Sequence, residues 1–427
     1  MKTNSLKLFD LQKQFAIERC RFASYASFSE DADQTRIHEE PPHLYRTPYQ
    51  RDRDRIIHSR AFRRLKHKRQ VFVTNIGDHY RTRLTHTMEV SQLARTIARA
   101  LGLNDDLAEA IAVGHDLGHT PFGHLGEVLL NEILQGKHRS RAGFPNVNLG
   151  GFKHNYQSLR VLDLLEAKYA FPGLNLTAPV REGILKHTQL KKKHISYPDF
   201  IYQGLHFDVG YARTLEGQVV EMADEIAQRT HDLEDGIRAG LVDVEDIRQM
   251  EIILLVEERL GLKAIAHNGN ELYQNRIING LVDYLVTDLL ETTLLHIEQA
   301  EQHDSSHPID GMLVTFSKPT DALQKQLNKF IYKYIIEVPA VNEHEDLFRN
   351  VLLGLYSAYI HFPEVLAQHH VGNYKNSNDK TISPRTICDH IAGMTDNFAL
   401  TEYQRLHRLK LIREAFDFDL HQFAWMQ

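Results

Sequence analysis

Cysteine is scarce in this sequence. Only Cys20 and Cys388 occur among the 427 residues. Two thiols so far apart provide neither a disulfide framework nor the paired spacing of a zinc knuckle or a redox motif. We therefore expect a cytoplasmic protein, because the cytoplasm is a reducing compartment. Any metal ion that the protein binds must be held by imidazole and carboxylate groups.

Long apolar runs and a strong net charge are also missing. No stretch approaches the roughly 18 apolar residues of a membrane span, and the first residues, MKTNSLKLFDLQKQF, lack the apolar segment of a signal peptide. We expect a soluble protein with no membrane partner. The 50 Lys and Arg residues are balanced by 56 Asp and Glu residues, which leaves a formal net charge of -6. Attraction to phosphate groups must therefore come from local clusters.

Helical periodicity extends along most of the chain. Apolar residues recur about every 3.6 positions in the segments 158–167, 214–229, 244–260 and 281–300. Three further helices are predicted nearer the N-terminus, over residues 81–101, 105–117 and 125–134. Strands do not alternate with helices as they would in a parallel sheet, although 71–76 is a candidate short strand or extended turn. The sequence therefore predicts an all-α fold.

Two histidines and two aspartates lie on the apolar faces of predicted helices. They are His86, the adjacent pair His115 and Asp116, and Asp224. Burying an ionised carboxylate costs several kcal/mol unless it is paired or bound to a metal. A divalent cation would neutralise the two carboxylates, and mixed nitrogen and oxygen ligands suit Mn, Mg, Fe, Ni, Co or Zn. These four residues are therefore the candidate metal ligands.

A purely structural interpretation competes with the metal site. A single histidine on an apolar face is more often a hydrogen-bonded core residue, and an adjacent His-Asp pair arises by chance in many chains. However, His119, His124 and Glu127 follow closely after the His-Asp pair. Core packing does not require so many ionisable side chains together, so the sequence favours a functional cluster.

The candidate ligands lie in three motifs, which are RLTHTMEV, GHDLGHTPFGHLGE and EMADEIA, in that order. Further motifs surround them, namely YRTPYQRDRDRIIHSRAFRRLKHKRQVF, GGFKHNYQSLRVL and CDHIAGMTDNFAL. Together they resemble the H…HD…D pattern of the HD superfamily, and specifically the deoxyguanosinetriphosphate triphosphohydrolase-like proteins, from about Tyr45 onward. The resemblance implies an HD-domain helical fold with additional C-terminal helices. We expect a loosely held N-terminal arm (1–45), an HD phosphohydrolase core (46–240) and a helical C-terminal region (241–427) that packs on the core and in oligomer contacts.

The same resemblance implies a function and roles for individual residues. Such enzymes hydrolyse a dNTP (dGTP or several dNTPs) to a deoxynucleoside and inorganic triphosphate, and they work as homo-oligomers, either tetramers or hexamers. His124 is implied to be the catalytic acid/base, with Glu127 orienting its imidazole. A packing role is the alternative for His124. The implied substrate-binding residues are Arg83 and His119 for the phosphates, Gln70 and Asp232 for the sugar 3′-hydroxyl, and His154, for which a structural loop histidine is the alternative.

Two features keep other functions open. Relatives carry a tyrosine where this chain has Gln228, which bears on substrate positioning, and the segment 51–69 has nine Lys and Arg against two Asp. We interpret 51–69 as one basic helix with a buried edge, used for structure or an interface, with single-stranded DNA as an alternative partner. The rival functions are another HD phosphohydrolase, such as a nucleotidase or phosphodiesterase, and a nucleotide- or single-stranded-DNA-binding sensor with a slow HD site.

Overall fold

The computed structural model describes residues 8–30, 32–69, 81–190, 200–262, 271–303, 311–338, 344–367 and 382–416. Within these stretches the protein is helical, and β structure is limited to isolated bridges between Arg69 and Thr82 and between Ala167 and Gly173. The predicted all-α fold is therefore confirmed. The candidate strand at 71–76 and the candidate binding residue Gln70 lie outside the described residues.

The described α-helices are α1 (Leu11–Arg21), α2 (Pro48–Ile57), α3 (Arg60–Arg64), α4 (Arg83–Ala100), α5 (Asp105–Gly114), α6 (His124–Leu134), α7 (His154–Arg160), α8 (Ala178–Lys186), α9 (Leu215–Arg238), α10 (Val244–Ile247), α11 (Glu251–Leu260), α12 (Glu271–His303), α13 (Lys318–Ile331), α14 (Glu345–His361), α15 (Pro363–Ala367), α16 (Pro384–Ala392) and α17 (Asp396–Arg408). The α7 and α13 helices continue into π-helical turns, Val161–Leu165 and Tyr332–Ile336. Among the described helices, none combines the length and the apolar content of a membrane span.

The segment 51–69 folds as two main helices, so the prediction of a single helix is wrong. The break between α2 and α3 lies at Ser59, whose hydroxyl accepts a hydrogen bond from the Phe62 N–H at 3.0 Å. A serine in this position caps a new helix and competes with continuation of the previous one. The expected buried edge is present, because Ala61 and Leu65 are buried.

The main apolar core is built around α5, which packs against α2, α4, α8 and α9. Two glycines let α5 and α8 approach closely. A Cβ atom at Gly114 would lie 2.4 Å from Ile184 Cδ1, and a Cβ atom at Gly183 would lie 2.4 Å from Ile111 Cδ1. A larger residue at either position would separate the two helices and displace the end of α5. Residues of α11, α12 and α13 extend the same core.

A second apolar core joins α6 to the C-terminal helices. Its buried members include Leu129 and Ile133 of α6, Val351 and Tyr356 of α14, and Ile387 of α16. The helix that begins with His124 and carries Glu127 is therefore packed against the C-terminal helices. Because α11 to α13 belong to the main core, the region 241–427 contributes to both cores.

The N-terminal segment packs firmly on the main core. Glu216 of α9 is buried and accepts hydrogen bonds from the backbone N–H of Ser27 at 2.9 Å and from its hydroxyl at 2.8 Å. Arg36 is also buried and pairs with Asp52 of α2 at 2.6 Å. These contacts join described residues of the predicted N-terminal arm (1–45) to the main core.

Candidate active site

The four predicted metal ligands converge between α4, α5 and α9. The Oδ1 atom of Asp224 is 2.9 Å from His86 Nε2 and 3.7 Å from His115 Nε2. Asp116 Oδ1 is 3.6 Å from His115 Nε2. Ligand atoms of His86, His115 and Asp116 all lie within 4.8 Å of one another. One cation could therefore contact side chains from three separate helices.

The His115 ring is oriented for metal binding by its own helix. Its Nδ1 donates a hydrogen bond to the Ala112 carbonyl at 2.6 Å, so Nδ1 carries the proton and Nε2 carries the lone pair. Nε2 is buried and has no hydrogen-bond partner among the described residues. A buried lone pair without a partner is unfavourable, and a divalent cation would satisfy it. The residues present therefore fit a metal ion.

Neighbouring groups keep both aspartates ionised. Arg83 Nη1 is 2.8 Å from Asp116 Oδ2, and His119 Nε2 is 2.9 Å from Asp116 Oδ1. Burial opposes ionisation, but His119 and Arg83 outweigh it and hold the pKa of Asp116 well below its usual range. Burial also opposes ionisation of Asp224, yet the hydrogen bond with His86 lowers its pKa to about 2. Both carboxylates are thus available as anionic ligands.

A second cluster lies beside the metal ligands and consists of His119, Glu127 and His154. His154 Nδ1 is 2.6 Å from Glu127 Oε2, and the His154 and His119 ring centroids are 3.9 Å apart. Burial opposes ionisation of Glu127, but the charge of His154 outweighs it and lowers the pKa of Glu127 to about 2. We call these three residues the acid–base cluster.

The Glu127 carboxylate is hydrogen-bonded to His154, and its predicted pairing with His124 stays a prediction. Both His124 and Glu127 lie in the first turn of α6. The His124 side chain is exposed, while Glu127 reaches the beginning of α7, where His154 is the first residue.

The buried His187 contacts the acid–base cluster through His154. His187 Nδ1 donates to the Ile184 carbonyl at 2.7 Å. Burial lowers the pKa of His187 to about 3. His187 is therefore neutral, and its Nε2 can only accept a hydrogen bond. That atom is 3.2 Å from His154 Nε2, so it can accept a hydrogen bond from the His154 ring.

Comparison with known proteins agrees with this geometry. Residues 83–250 match the HD domain, and residues 314–405 match the phosphohydrolase-associated domain. A deoxyguanosinetriphosphate triphosphohydrolase-like protein of Geobacter sulfurreducens is 38% identical over 396 residues, which cover 92% of this chain and 96% of that protein. The chain belongs to this family. Proteins of the same name are 39% identical over 386 residues in Ralstonia pickettii (90% of this chain, 94% of that protein) and 37% identical over 392 residues in Geobacter metallireducens (91% and 96%).

Family membership and the ligand geometry together identify a metal-dependent HD phosphohydrolase, which confirms the resemblance seen in the sequence motifs. Of the other predicted site residues, Asp232 lies on α9, two helical turns after Asp224, and is buried. Burial raises the pKa of Asp232 to about 7. Gln228, between them on the same helix, is exposed.

The HD phosphohydrolase site contains three further residues that were not predicted from the sequence, namely His231, Glu89 and His187. His86 Nδ1 is 3.4 Å from His231 Nδ1, and the other nitrogen of His231 pairs with Glu89. The spacing of His231 and Glu89 could have indicated that they face the site, because His231 follows Asp224 by two helical turns and Glu89 follows His86 by one. His187 gave no comparable signal, since it lies just beyond the end of α8.

Proposed function

We propose that this HD phosphohydrolase hydrolyses a dNTP, either dGTP or several dNTPs, to a deoxynucleoside and inorganic triphosphate. The name of its relatives supports this substrate class. The observation that carries the proposal is the contact between the two clusters. His119 is 2.9 Å from the metal-ligand candidate Asp116 and packs on the His154 ring at 3.9 Å. A phosphate group at the metal ligands would therefore be within reach of groups that can move a proton.

His86, His115, Asp116 and Asp224 would hold the metal ion. A divalent cation bound there supplies Lewis acidity toward a phosphate oxygen and toward the attacking water. The mixed nitrogen and oxygen ligands suit Mn, Mg, Fe, Ni, Co and Zn. Metal analysis of the purified protein decides which of these ions is used.

Arg83 and His119 are the proposed phosphate ligands. A triphosphate is highly negative, and two ionised aspartates would repel it unless positive groups lie between them and the substrate. Arg83 Nε is buried without a hydrogen-bond partner among the described residues, so it is available to donate to a phosphate oxygen.

The proposed reaction breaks the bond between the α-phosphorus and the 5′-oxygen. Water adds a hydroxyl group to phosphorus, and the leaving 5′-oxygen takes up a proton. We assign this proton transfer to His124, which is exposed at the first position of α6. We assign to Glu127 the role of orienting the imidazole of His154, with which it is hydrogen-bonded. Gln70 and Asp232 are the proposed ligands of the sugar 3′-hydroxyl.

Product analysis tests the proposed function. The purified protein is incubated with each dNTP and Mn²⁺ or Mg²⁺, and the released anions are separated by anion exchange. We expect inorganic triphosphate, and we expect its release to disappear in His115→Ala and to slow by about 10²- to 10⁴-fold in His124→Ala. His296→Ala is the matched control, because His296 bonds to the Leu313 carbonyl at 3.1 Å, between α12 and the segment before α13, and should keep wild-type activity.

The same assay distinguishes the rival functions. Release of orthophosphate or pyrophosphate instead of triphosphate would indicate another HD phosphohydrolase, such as a nucleotidase or phosphodiesterase. Tight dNTP binding with turnover no faster than the buffer control would indicate a nucleotide sensor with a slow HD site. Either result contradicts the proposed reaction.

We also propose that the protein works as a homo-oligomer, a tetramer or a hexamer. Several large apolar side chains are exposed on α11 and α12, namely Leu254, Leu255, Leu272, Leu294 and Leu295. Exposed apolar surface of this kind favours association. Light scattering should give a mass that is a multiple of the 49.3 kDa chain, and a monomer at assay concentration would contradict the proposal.

Single-stranded DNA is the alternative partner suggested by the basic segment 51–69. Part of that charge is neutralised locally, since Arg55 pairs with Glu40 at 2.8 Å and Arg53 pairs with Glu109 at 3.1 Å. These ion pairs support a structural role for the segment. Fluorescence anisotropy with a labelled oligonucleotide should therefore detect only weak, salt-sensitive binding. Tight binding would favour the sensor function.

A further inference from the structure

We propose that Asp396 is a positioning residue for the turn that carries His119 and leads into His124. This segment, residues 118–124, connects the end of the metal-ligand pair to α6, and we call it the catalytic turn. The proposal rests on the proposed phosphohydrolase reaction, although not on which nucleotide is hydrolysed. Asp396 lies in the motif CDHIAGMTDNFAL, to which the mechanism otherwise gives no role.

The catalytic turn has a strained backbone. Phe122 has a φ of 61° and Gly123 has a φ of 63°, so two consecutive residues have a positive φ. Glycine accepts this conformation freely, whereas a phenylalanine adopts it only when its surroundings hold it there. The backbone of Phe122 sets the direction in which α6 begins, and His124 is the first residue of α6. The position of His124 therefore depends on what holds Phe122.

Asp396 supplies hydrogen bonds that hold Phe122. Its Oδ1 accepts from the Phe122 N–H at 2.9 Å, and its Oδ2 accepts from the Arg69 N–H at 3.1 Å. The Arg69 guanidinium in turn donates to the Phe122 carbonyl at 3.2 Å. Asp396 is the first residue of α17, where the positive end of the helix dipole stabilises its charge. One carboxylate and the arginine that it binds thus satisfy both backbone polar groups of Phe122.

Neighbouring contacts connect the same turn to the C-terminal helices. The buried Lys68 donates from Nζ to the carbonyls of His119 and of Ala392, the last residue of α16. The Phe122 ring stacks on Phe348 of α14, with centroids 4.3 Å apart and 13° between the ring planes. The catalytic turn is therefore held at His119 by Lys68, which also bonds to α16, and at Phe122 by Asp396 and Phe348 of the C-terminal helices. By contrast, the metal-ligand candidates come from α4, the end of α5 and α9.

Removal of the Asp396 carboxylate should misplace the proton-transfer groups and leave the metal ligands in position. In Asp396→Ala the Phe122 N–H loses its acceptor, and the strained turn can relax. A displacement of about 1 Å at a reacting group lowers the rate by about 10²-fold. We expect that loss in kcat, with the metal dissociation constant unchanged. Asp396→Asn keeps one acceptor oxygen and should give an intermediate kcat.

A double-mutant cycle separates positioning from general loss of structure. The kcat for dNTP hydrolysis is measured in the wild type, in Asp396→Ala, in His124→Ala and in the double variant. If Asp396 acts through the catalytic turn, it should change kcat by less than about threefold once the His124 imidazole is gone. Losses that multiply instead would overturn the proposal.

Hydrogen–deuterium exchange tests the turn without relying on turnover. Asp396→Ala should accelerate amide exchange in residues 118–124, whether or not the wild type hydrolyses any dNTP. The matched control is Asp288→Ala, because Asp288 accepts from the backbone N–H of Ser317 at 2.9 Å and from its hydroxyl at 2.7 Å, between α12 and α13. That variant should leave exchange in the turn unchanged. Unchanged exchange in Asp396→Ala overturns this inference, whereas a wild type that releases no triphosphate overturns only the proposed substrate.

Discussion

Glu127→Gln probes the ionised pair at the centre of the acid–base cluster. The substitution keeps the shape of the side chain but removes the negative charge that faces His154 Nδ1 at 2.6 Å. A glutamine oxygen can still accept a hydrogen bond from that nitrogen. It cannot supply the negative charge that Glu127 places beside the His154 ring. We therefore expect a less stable protein at neutral pH and a slower reaction.

The size of the effect follows from the pKa of Glu127. Burial would raise it, but the charge of His154 and the hydrogen bond to it lower the pKa from 4.5 to about 2. That difference corresponds to about 3 kcal/mol of folding free energy at neutral pH. Because the folded-state pKa is the lower one, this stabilisation is fully present above about pH 4.5 and is lost as the pH falls through about 2. Glu127→Gln lacks the titrating group, so the advantage of the wild type should shrink in acid.

Urea unfolding of both proteins at pH values between about 7 and 3 measures this difference. We expect Glu127→Gln to be less stable by about 2–3 kcal/mol above about pH 5, with the gap narrowing at lower pH. The matched control is Glu132→Gln on the same helix, because Glu132 and Arg349 form a partly exposed pair at 3.3 Å that contributes at most about 1 kcal/mol. A gap of equal size at both ends of the pH range, or no gap, would refute the ionised Glu127–His154 pair.

Three further variants test other parts of the structure. Asp163→Ala should lower the free energy of unfolding by about 3–5 kcal/mol, because the buried Arg181 loses the carboxylate with which it pairs at 2.7 Å in the wild type. A loss below about 1 kcal/mol in thermal unfolding would contradict this prediction. Gly118→Ala should fail to give a stably folded protein, since the added Cβ would lie 2.1 Å from the Ser158 backbone nitrogen, and a Tm close to that of the wild type would show this contact to be wrong. His231→Ala should weaken metal binding by about 10–100-fold, because His231 orients the ring of His86. Equilibrium dialysis measures the metal affinity, and an unchanged affinity would exclude an orienting role for His231.

The fold class and the convergence of the metal ligands could be predicted from the sequence because both depend on local periodicity. His86, His115 and Asp224 each lie on an apolar stripe that repeats with the helical period. A carboxylate on such a stripe requires a compensating partner when it is buried. The position of a residue along its own helix was therefore enough to place it on a buried face beside the others.

Contacts between distant segments could not be predicted in the same way. Periodicity indicates which face of a helix is buried, but not which element covers that face. The partner of Glu127 is His154, on a helix that begins after a long loop, and Asp396 contacts Phe122 across 274 positions of sequence. The break between α2 and α3 at Ser59 could not be predicted from periodicity either, because the apolar stripe continues across the break although the helix ends there.

Metal binding by the purified, metal-depleted protein tests the central claim most directly. Equilibrium dialysis against Mn²⁺ should give one tightly bound ion per 49.3 kDa chain in the wild type. His115→Ala and Asp116→Ala should lose that ion, while the control His296→Ala should bind it with wild-type affinity. A wild type that takes up no divalent ion, or a His115→Ala variant that binds it equally tightly, would contradict a metal centre formed by His86, His115, Asp116 and Asp224.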